Sequence, residues 1–216
     1  MKKNREPFRF VDQVHLKELT GIKARNFKEL GDILRNAPDS IVHYHTHHFL
    51  EEHHYLTPEP ANDFAVWAND VLGDEILGEK LASIDILEFP TISALRDRII
   101  NLMEQHVPSG LKMRRVPEGK EFYFVKWVSI VLPTSRLAHD LREFGEALGM
   151  LSLGSLYFHI IESRLRTGKA SNDFSVWLDS LGEQELAEAV AKVDPYTYTL
   201  EGVRSQLIKL AAKRIK

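Results

Sequence analysis

The sequence predicts a mainly α-helical fold made of two homologous halves, each a strand followed by helices, packed as one pseudo-two-fold globule. Two observations lead to this fold class. The motif NDFAVW at 62–67 recurs as NDFSVW at 172–177, with five identities in six positions. An alternating apolar stretch opens each half, and apolar residues then recur at three- and four-residue spacings. The two strands are predicted to pair as a small β element, because a lone strand leaves its backbone groups unsatisfied.

The repeat extends over most of the chain. At a constant offset of 114, residues 8–45 match 122–159 with ten identities in 38 positions, and positions related by this offset are called matched positions below. We predict a first repeat at 8–106, a linker at 107–120 and a second repeat at 121–214. The linker contains Pro, Gly and charged residues, as connecting segments usually do. A repeat of this length favours two copies packed as one compact domain over a solenoid.

Each half opens with a strand and then a helix. Residues 122–131 alternate apolar and polar positions and are rich in aromatic and β-branched side chains, which is typical of a strand. Pro133 is predicted to end this strand, and Thr134 or Ser135 to cap the helix that follows. The first half is predicted to form the matching helix over 20–36.

The next helix of the first half is rich in histidine. The stretch SIVHYHTHHFLEEHH at 40–54 holds six of the chain's ten histidines, and its partner is GSLYFHIIESRLRTG at 154–168. Each half then continues with a short helix at the NDF-x-VW motif, a helix that ends in Ala-x-x-Asp, and a closing helix. The asparagine and aspartate of both motifs are predicted to be helix N-caps, and their aromatic residues to lie in the core.

The composition and charge of the chain limit the kinds of protein that it can be. The chain has 216 residues, of which 44% are hydrophobic and 27% charged, as in ordinary globular proteins. The net charge is −3 with both signs interleaved, so the sequence lacks the basic bias of nucleic-acid-binding proteins. No apolar run has the length of a targeting signal or a membrane span. We therefore predict a cytoplasmic protein with neither a nucleic-acid nor a membrane partner.

Several kinds of site are excluded by the residues themselves. The chain has no cysteine, which excludes disulfides, thiolate metal sites and cysteine nucleophiles. No glycine-rich phosphate loop and no G-x-S-x-G elbow occurs, so kinase, dinucleotide-binding and serine-hydrolase functions have no support. No catalytic residue is predicted, and whether the protein is an enzyme stays open.

Two interpretations of His45 remain open. On a helical wheel His45 falls on the apolar side, and it is the histidine retained at His159. It can be a core histidine that bonds a backbone carbonyl or a carboxylate. Alternatively, His45 and His48 match His159 and Glu162, and such i, i+3 pairs on facing helices can hold a divalent metal such as iron, manganese or zinc.

A weaker metal candidate is the pair His43 and His47. Their spacing of four lets two helical imidazoles share a metal ion. The matched residues are Tyr157 and Ile161, so the second half does not retain the pair. We predict that these histidines lie on a solvated or interface face.

The candidate ligand-binding residues are His45, His159, Arg96 and Arg204. The two arginines correspond in the repeat and could bind an anion. The favoured function is a non-catalytic module that binds a small molecule or regulates a protein partner. The alternative is a metal-binding helical protein with its site at the pseudo-two-fold axis, and an oligomer is compatible with either.

The sequence also resembles a known family. The runs SIVHYHTHHFLEE, NDFAVW, NDFSVWL and DPYTYTLEGVR resemble an uncharacterised bacterial family, a domain of unknown function, over most of the chain. The resemblance implies a soluble protein without assigned catalytic residues. It also associates the members with genes of glycosyltransferase and trehalose metabolism, so a link to carbohydrate metabolism is an expectation.

Overall fold

A computed structural model describes residues 6–52, 62–106, 113–169, 171–195 and 197–215. The fold is mainly helical, with one antiparallel two-stranded sheet, which confirms the predicted mainly α-helical class and the predicted pairing of the two strands. His53 and His54 of the histidine-rich stretch lie outside the described residues. Among the described helices, none is long and apolar enough to cross a membrane.

The elements follow the predicted order of a strand and then helices, twice. The strands and α-helices are β1 (Phe8–Ala24), α1 (Phe27–Asn36), α2 (Asp39–Glu52), α3 (Asp63–Val66), α4 (Glu75–Ala82), α5 (Ile92–His106), β2 (Phe122–Ala138), α6 (Leu141–Leu148), α7 (Leu153–Tyr157), α8 (Ser163–Thr167), α9 (Asp173–Ser180), α10 (Gln184–Ala191) and α11 (Leu200–Ile215). Single π-helical turns follow α3 and join α7 to α8, at Trp67–Val71 and Phe158–Glu162. A short 3₁₀ turn lies at Ile86–Glu88.

The described chain forms two compact units that are not consecutive in sequence. Unit 1 contains 6–14, 50–52 and the described residues from 129 onward. Unit 2 contains the described residues of 15–49, 62–106 and 113–128. Each strand therefore gives its first part to the unit that holds the helices following the other strand. The predicted repeat boundaries concern the sequence relation between the halves, and they stay a prediction.

Strand β2 does not end at Pro133, as the sequence predicted. It continues to Ala138, and Thr134 lies within it, where its hydroxyl donates a hydrogen bond to the carbonyl of Phe10 (2.6 Å). Proline lacks the N–H that a central strand needs, but an edge strand tolerates this loss. Both strands of a two-stranded sheet are edge strands, so the proline does not terminate pairing here.

Helices α1 and α6 consequently begin later than predicted. Asn26 caps α1 by accepting a hydrogen bond from the N–H of Glu29 (2.8 Å), and Asp140 caps α6 by accepting from Glu143 N–H (2.9 Å). In both helices the glutamate carboxylate reaches back to a backbone N–H just before the cap. This resembles the reciprocal pattern of a capping box, except that the glutamate bonds the residue before the cap. The predicted caps at Thr134 and Ser135 are wrong because strand pairing extends through them.

The core of unit 2 is aromatic. Phe122 of β2 stacks on Phe64 of α3, with ring centroids 5.1 Å apart and planes inclined by 15°. Trp67 packs edge-on against Phe122 and donates its indole N–H to the carbonyl of Lys120 (2.9 Å). The start of β2 is therefore held by helices that follow β1.

The core of unit 1 repeats this arrangement. Phe8 of β1 lies 5.2 Å from Phe174 and 5.6 Å from Trp177, measured between ring centroids. The Trp177 indole donates its N–H to the carbonyl of Glu6 (3.2 Å). The motif aromatics are buried in both units, which confirms their predicted place in the core.

The motif asparagines are N-caps, as predicted. Asn62 accepts a hydrogen bond from the N–H of Ala65 (2.9 Å), and Asn172 accepts from Ser175 N–H (2.9 Å). Their side-chain amides also donate to backbone carbonyls at the ends of the next helices, α4 and α10. The asparagine therefore ties two helices together. The neighbouring aspartates are not caps, and each of them bonds a histidine.

Candidate functional site

His45 is buried and uses both ring nitrogens within unit 2. Its Nε2 accepts the backbone N–H of Val125 in β2 (3.0 Å), so in the neutral ring the proton is on Nδ1, which donates to Asp63 (2.7 Å). Burial lowers the pKa of His45, and the neighbouring carboxylate of Asp63 offsets only part of this shift. His48 bonds the other Asp63 oxygen through Nε2 (3.0 Å). Burial acts to raise the pKa of Asp63, but the two imidazoles bring it down to about 2.

His159 has the same role in unit 1. Its Nε2 accepts the backbone N–H of Val11 in β1 (2.9 Å), and its Nδ1 donates to Asp173 (2.8 Å). The second group on this carboxylate is a guanidinium, because Arg166 donates to Asp173 (2.6 Å). Arg166 also lies 3.8 Å above the centroid of the Phe158 ring. Each unit thus joins a strand to a helix N-terminus through a histidine and an aspartate.

These contacts favour the core interpretation of His45 and His159. A metal ion at either ring would have to displace a strand N–H or an aspartate. Over the part of the chain that the structure describes, no three His, Asp or Glu side chains are placed to hold a metal ion. His45 and His48 lie in unit 2, whereas His159 and Glu162 lie in unit 1, where Glu162 accepts from Gln13 (3.0 Å). The four-ligand site stays a prediction.

The candidate anion-binding arginines have partners in the chain. Arg96 is ion-paired with Asp39 at the start of α2. Arg204 lies 3.0 Å from the carboxylate of Glu201 and donates to the carbonyl of Gly149 (3.4 Å). Both side chains are largely buried. Their role in binding an external anion stays a prediction, and their present contacts connect helices.

His43 and His47 were predicted to lie on a solvated or interface face, and the structure shows that this face is not solvated. His47 is 1% exposed and His43 is half-buried, with ring centroids 4.6 Å apart. Trp127 of β2 packs 4.9 Å from His43, and His15 of β1 stacks on Trp127 at 4.0 Å with planes inclined by 7°. The prediction failed because the helical wheel does not show that a strand covers this side of α2. His15 was missed because nothing in its local sequence links it to α2.

His47 is fixed in one tautomer. Thr46 donates its hydroxyl proton to the carbonyl of Val42 (2.7 Å), so its oxygen accepts from Nδ1–H of His47 (2.7 Å). The proton on Nδ1 leaves Nε2 with its lone pair. Burial lowers the pKa of His47 to about 3, so the ring is neutral at pH 7.

A groove between α1 and α5 in unit 2 was not predicted. Its volume is about 410 Å³. The groove is lined by Phe27, Lys28, Gly31, Asp32, Arg35, Ile100, Met103, Glu104 and Met113. Its floor is apolar, and the space above Gly31 is open, because an added Cβ would meet only Arg35 Nη1, at 3.8 Å. The sequence of each helix has an ordinary amphipathic pattern. This pattern does not indicate that the facing sides of α1 and α5 are separated by a groove.

The rim of the groove carries balanced charge. Asp32 is ion-paired with both Lys28 and Arg35, and Arg35 also contacts Glu104. The hydrogen bond from Lys28 lowers the pKa of Asp32, so this carboxylate stays ionised at neutral pH. Two cations and two anions leave the rim with no net charge. A second pocket of about 400 Å³ adjoins the groove at Phe27 and includes Leu72, Asp74, Ile76 and Arg114.

The matched position in unit 1 is filled. A Cβ on Gly145 of α6 would lie 3.3 Å from Ile215 Cδ1 and 3.8 Å from Ala211 Cβ. The last turns of α11 therefore cover the glycine of α6. Over Gly31 of α1 the corresponding space is open, which distinguishes the two units.

Comparisons with known proteins give a family but no activity. A family model described as "Family of unknown function (DUF5752)" matches residues 5–212. A solved structure titled "The structure of OrfY from Thermoproteus tenax" is similar to the chain at 29% sequence identity and a TM-score of 0.80. That similarity covers 98% of this chain and 97% of the other. No curated protein matches the chain significantly.

Proposed function

For this chain, which belongs to the family of unknown function DUF5752, we propose a non-catalytic small-molecule-binding module whose ligand occupies the α1–α5 groove. The observation that carries the proposal is the open space above Gly31, where the matched glycine is covered by Ile215. A volume of about 410 Å³ lies within the range of small-molecule sites. The groove combines an apolar floor with a few polar groups, as such sites usually do.

The groove favours an amphipathic ligand without net charge. Ile100 and Met103 offer an apolar surface, and methionine adapts its shape to different ligands. The rim charges already neutralise one another, so a charged ligand would have to compete with existing ion pairs. Hydroxyl groups can bond the outer oxygens and N–H groups of Asp32, Arg35 and Glu104 without breaking those pairs. A ligand with hydroxyl groups is consistent with the expected link to carbohydrate metabolism.

We also propose that the chain is a tandem duplication of 8–106 and 121–214, with 107–120 as its linker. Contacts that recur between corresponding residues of the two halves support this proposal. The backbone N–H of Val125 donates to His45, as that of Val11 does to His159. The indole N–H of Trp67 donates to the carbonyl of Lys120, as that of Trp177 does to Glu6. The hydroxyl of Thr20 donates to the carbonyl of Phe124, as that of Thr134 does to Phe10. The predicted pseudo-two-fold relation stays a prediction. If the chain is such a duplication, the first copy has the groove and the matched position of the second copy is filled.

A neutral fluorescent probe tests the groove. We expect the wild-type protein to bind one equivalent of PRODAN, with a blue-shifted emission that reports an apolar site. Gly31→Leu should weaken binding at least about tenfold, because the new side chain fills open space without displacing the core. Gly145→Ala is the matched control in unit 1 and should leave binding unchanged. Ligands are then sought as compounds that displace the probe, from a panel that pairs neutral glycosides with sugar phosphates.

The thermal midpoint of each variant, measured alongside, separates groove filling from misfolding. If Gly31→Leu folds with an unchanged midpoint and still binds the probe as the wild type does, the groove is not the site. The same conclusion follows if Gly145→Ala weakens binding equally.

A further inference from the structure

Unit 2 places three imidazoles in one cluster with a tryptophan, in which His15 and His43 contact Trp127 and His47 contacts His43. His43 and His47 come from successive turns of α2, with ring centroids 4.6 Å apart. His15 comes from β1 and lies 6.2 Å from His43. We propose that His43 and His47, assisted by His15, form a binding site for a divalent transition-metal ion of the zinc, nickel or copper class.

The geometry of the α2 pair suits a chelate. Zinc binds imidazole nitrogen at about 2.0–2.1 Å, which places the rings of two such ligands with centroids roughly 5 Å apart. The separation of 4.6 Å between His43 and His47 is close to this value. The three nitrogens do not converge on one point as the rings lie, so His15 joins the site by rotating about its Cα–Cβ bond. Water completes the coordination on the half-exposed side.

The hydrogen bond at Nδ1 leaves Nε2 of His47 as the nitrogen that can bind a metal ion. Thr46 accepts its Nδ1–H (2.7 Å), which directs the lone pair of Nε2 away from the helix backbone. Metal-binding histidines commonly donate their other ring N–H to such a fixed oxygen.

The second unit indicates that the fold does not need imidazoles at these positions. The matched residues are Tyr157 and Ile161, which are 0% and 1% exposed. An aliphatic side chain therefore packs at the position of His47 without burying any ring nitrogen. Unit 2 therefore has a buried imidazole at a position where unit 1 has isoleucine. Packing alone does not require the imidazole, whereas metal binding does.

The ligand set selects the class of metal. Imidazole suits zinc, nickel and copper, whereas magnesium and calcium require oxygen ligands. This site is separate from the α1–α5 groove, and it uses neither His45 nor His159.

Zinc binding to the untagged full-length chain, purified without a metal column, tests the proposal. We expect one equivalent of zinc in equilibrium dialysis and a higher thermal midpoint when zinc is present. The double variant His43→Tyr/His47→Ile copies the residues of the other unit, so it should fold, bind less than about 0.2 equivalents and show no zinc-dependent shift. His15→Ala should weaken zinc binding about tenfold. His139→Ala, at an exposed histidine of unit 1, is the control and should bind as the wild type does.

Three results would overturn the site. The first is a double variant that folds normally and retains one equivalent of zinc. The second is loss of zinc from His139→Ala, which would indicate adventitious binding at surface histidines. The third is loss of zinc from His45→Ala with retention by the double variant, which would favour the four-ligand site predicted from the sequence.

Discussion

At the scale of single residues, each histidine of α2 has a role set by what covers it. His45 faces the core and accepts a strand N–H, whereas His48 is less buried and supports Asp63. His47 packs against the ring of His43, where it is buried and neutral. The sequence placed His45 correctly on the apolar side. It did not identify Asp63 as the partner, because 18 residues separate the two and the motif's asparagine already explained a helix cap.

The buried ring of His47 should make the protein sensitive to acid. Its pKa is about 3 in the folded state and about 6.5 when unfolded, so the unfolded chain binds more protons between these values. This contribution to stability is complete above pH 6.5 and falls as the pH drops toward 3. We expect it to lower the free energy of unfolding by about 2 kcal/mol at pH 5 relative to pH 7.5. Urea denaturation at both pH values, without added metal, measures the loss.

The variant His47→Ile removes this titration and should lose about 2 kcal/mol less than the wild type over the same interval. His139→Ala should show the wild-type dependence. An equal loss in wild type and His47→Ile would mean that His47 does not carry the acid sensitivity. Asp63, with a pKa of about 2, contributes only below pH 4, because its stabilisation is lost as the pH falls through that value.

At the scale of elements, the order and type of segments could be predicted, but their ends could not. Alternation and helical periodicity identified the strands and helices because each buries one face. The strand ends depend on pairing with the other strand, which is remote in sequence, so β2 passes through Pro133 to Ala138. The groove was missed for a similar reason. It depends on the distance between α1 and α5, and local patterns do not contain that distance.

Helix α7 approaches β1 closely enough to require glycine. A Cβ on Gly154 would lie 2.1 Å from the carbonyl oxygen of Gln13 and 3.0 Å from an Asp12 carboxylate oxygen. The backbone carbonyl cannot rotate away as a flexible side chain can. We expect Gly154→Ala to lower the free energy of unfolding by about 2–4 kcal/mol, since strand and helix must separate. Urea denaturation measures this change.

The matched comparison is Gly31→Ala in α1, where the space is open. Alanine there should raise the free energy of unfolding by about 0.5–1 kcal/mol, because glycine is unfavourable inside a helix. If Gly154→Ala is neutral or stabilising as well, β1 and α7 do not pack as closely as described.

At the scale of the whole molecule, each unit contains residues of both strands. Residues 8–14 belong to the unit that holds the helices after β2, and 122–128 belong to the unit that holds most of the helices after β1. Phe8, His159 and Trp177 hold one strand end, and Phe122, His45 and Trp67 hold the other. The internal sequence similarity was visible in the sequence. The exchange of strand ends, in which the first part of each strand packs on the helices that follow the other strand, was not visible, because it depends on contacts between remote segments.

This exchange predicts that the two repeats remain bound after the chain is cut between them. A protease site placed at 107–112 and cleaved in the folded full-length protein should leave both pieces in one complex. Each piece contributes a strand end that is buried among phenylalanines and bonded to a histidine of the other, so separation would expose both cores. Size-exclusion chromatography should therefore show one species of unchanged size, and near-UV circular dichroism should match the uncut protein. Pieces that separate in native buffer would mean that each repeat keeps its own strand. The uncut chain with the same insertion is the control, because it shows any effect of the site itself.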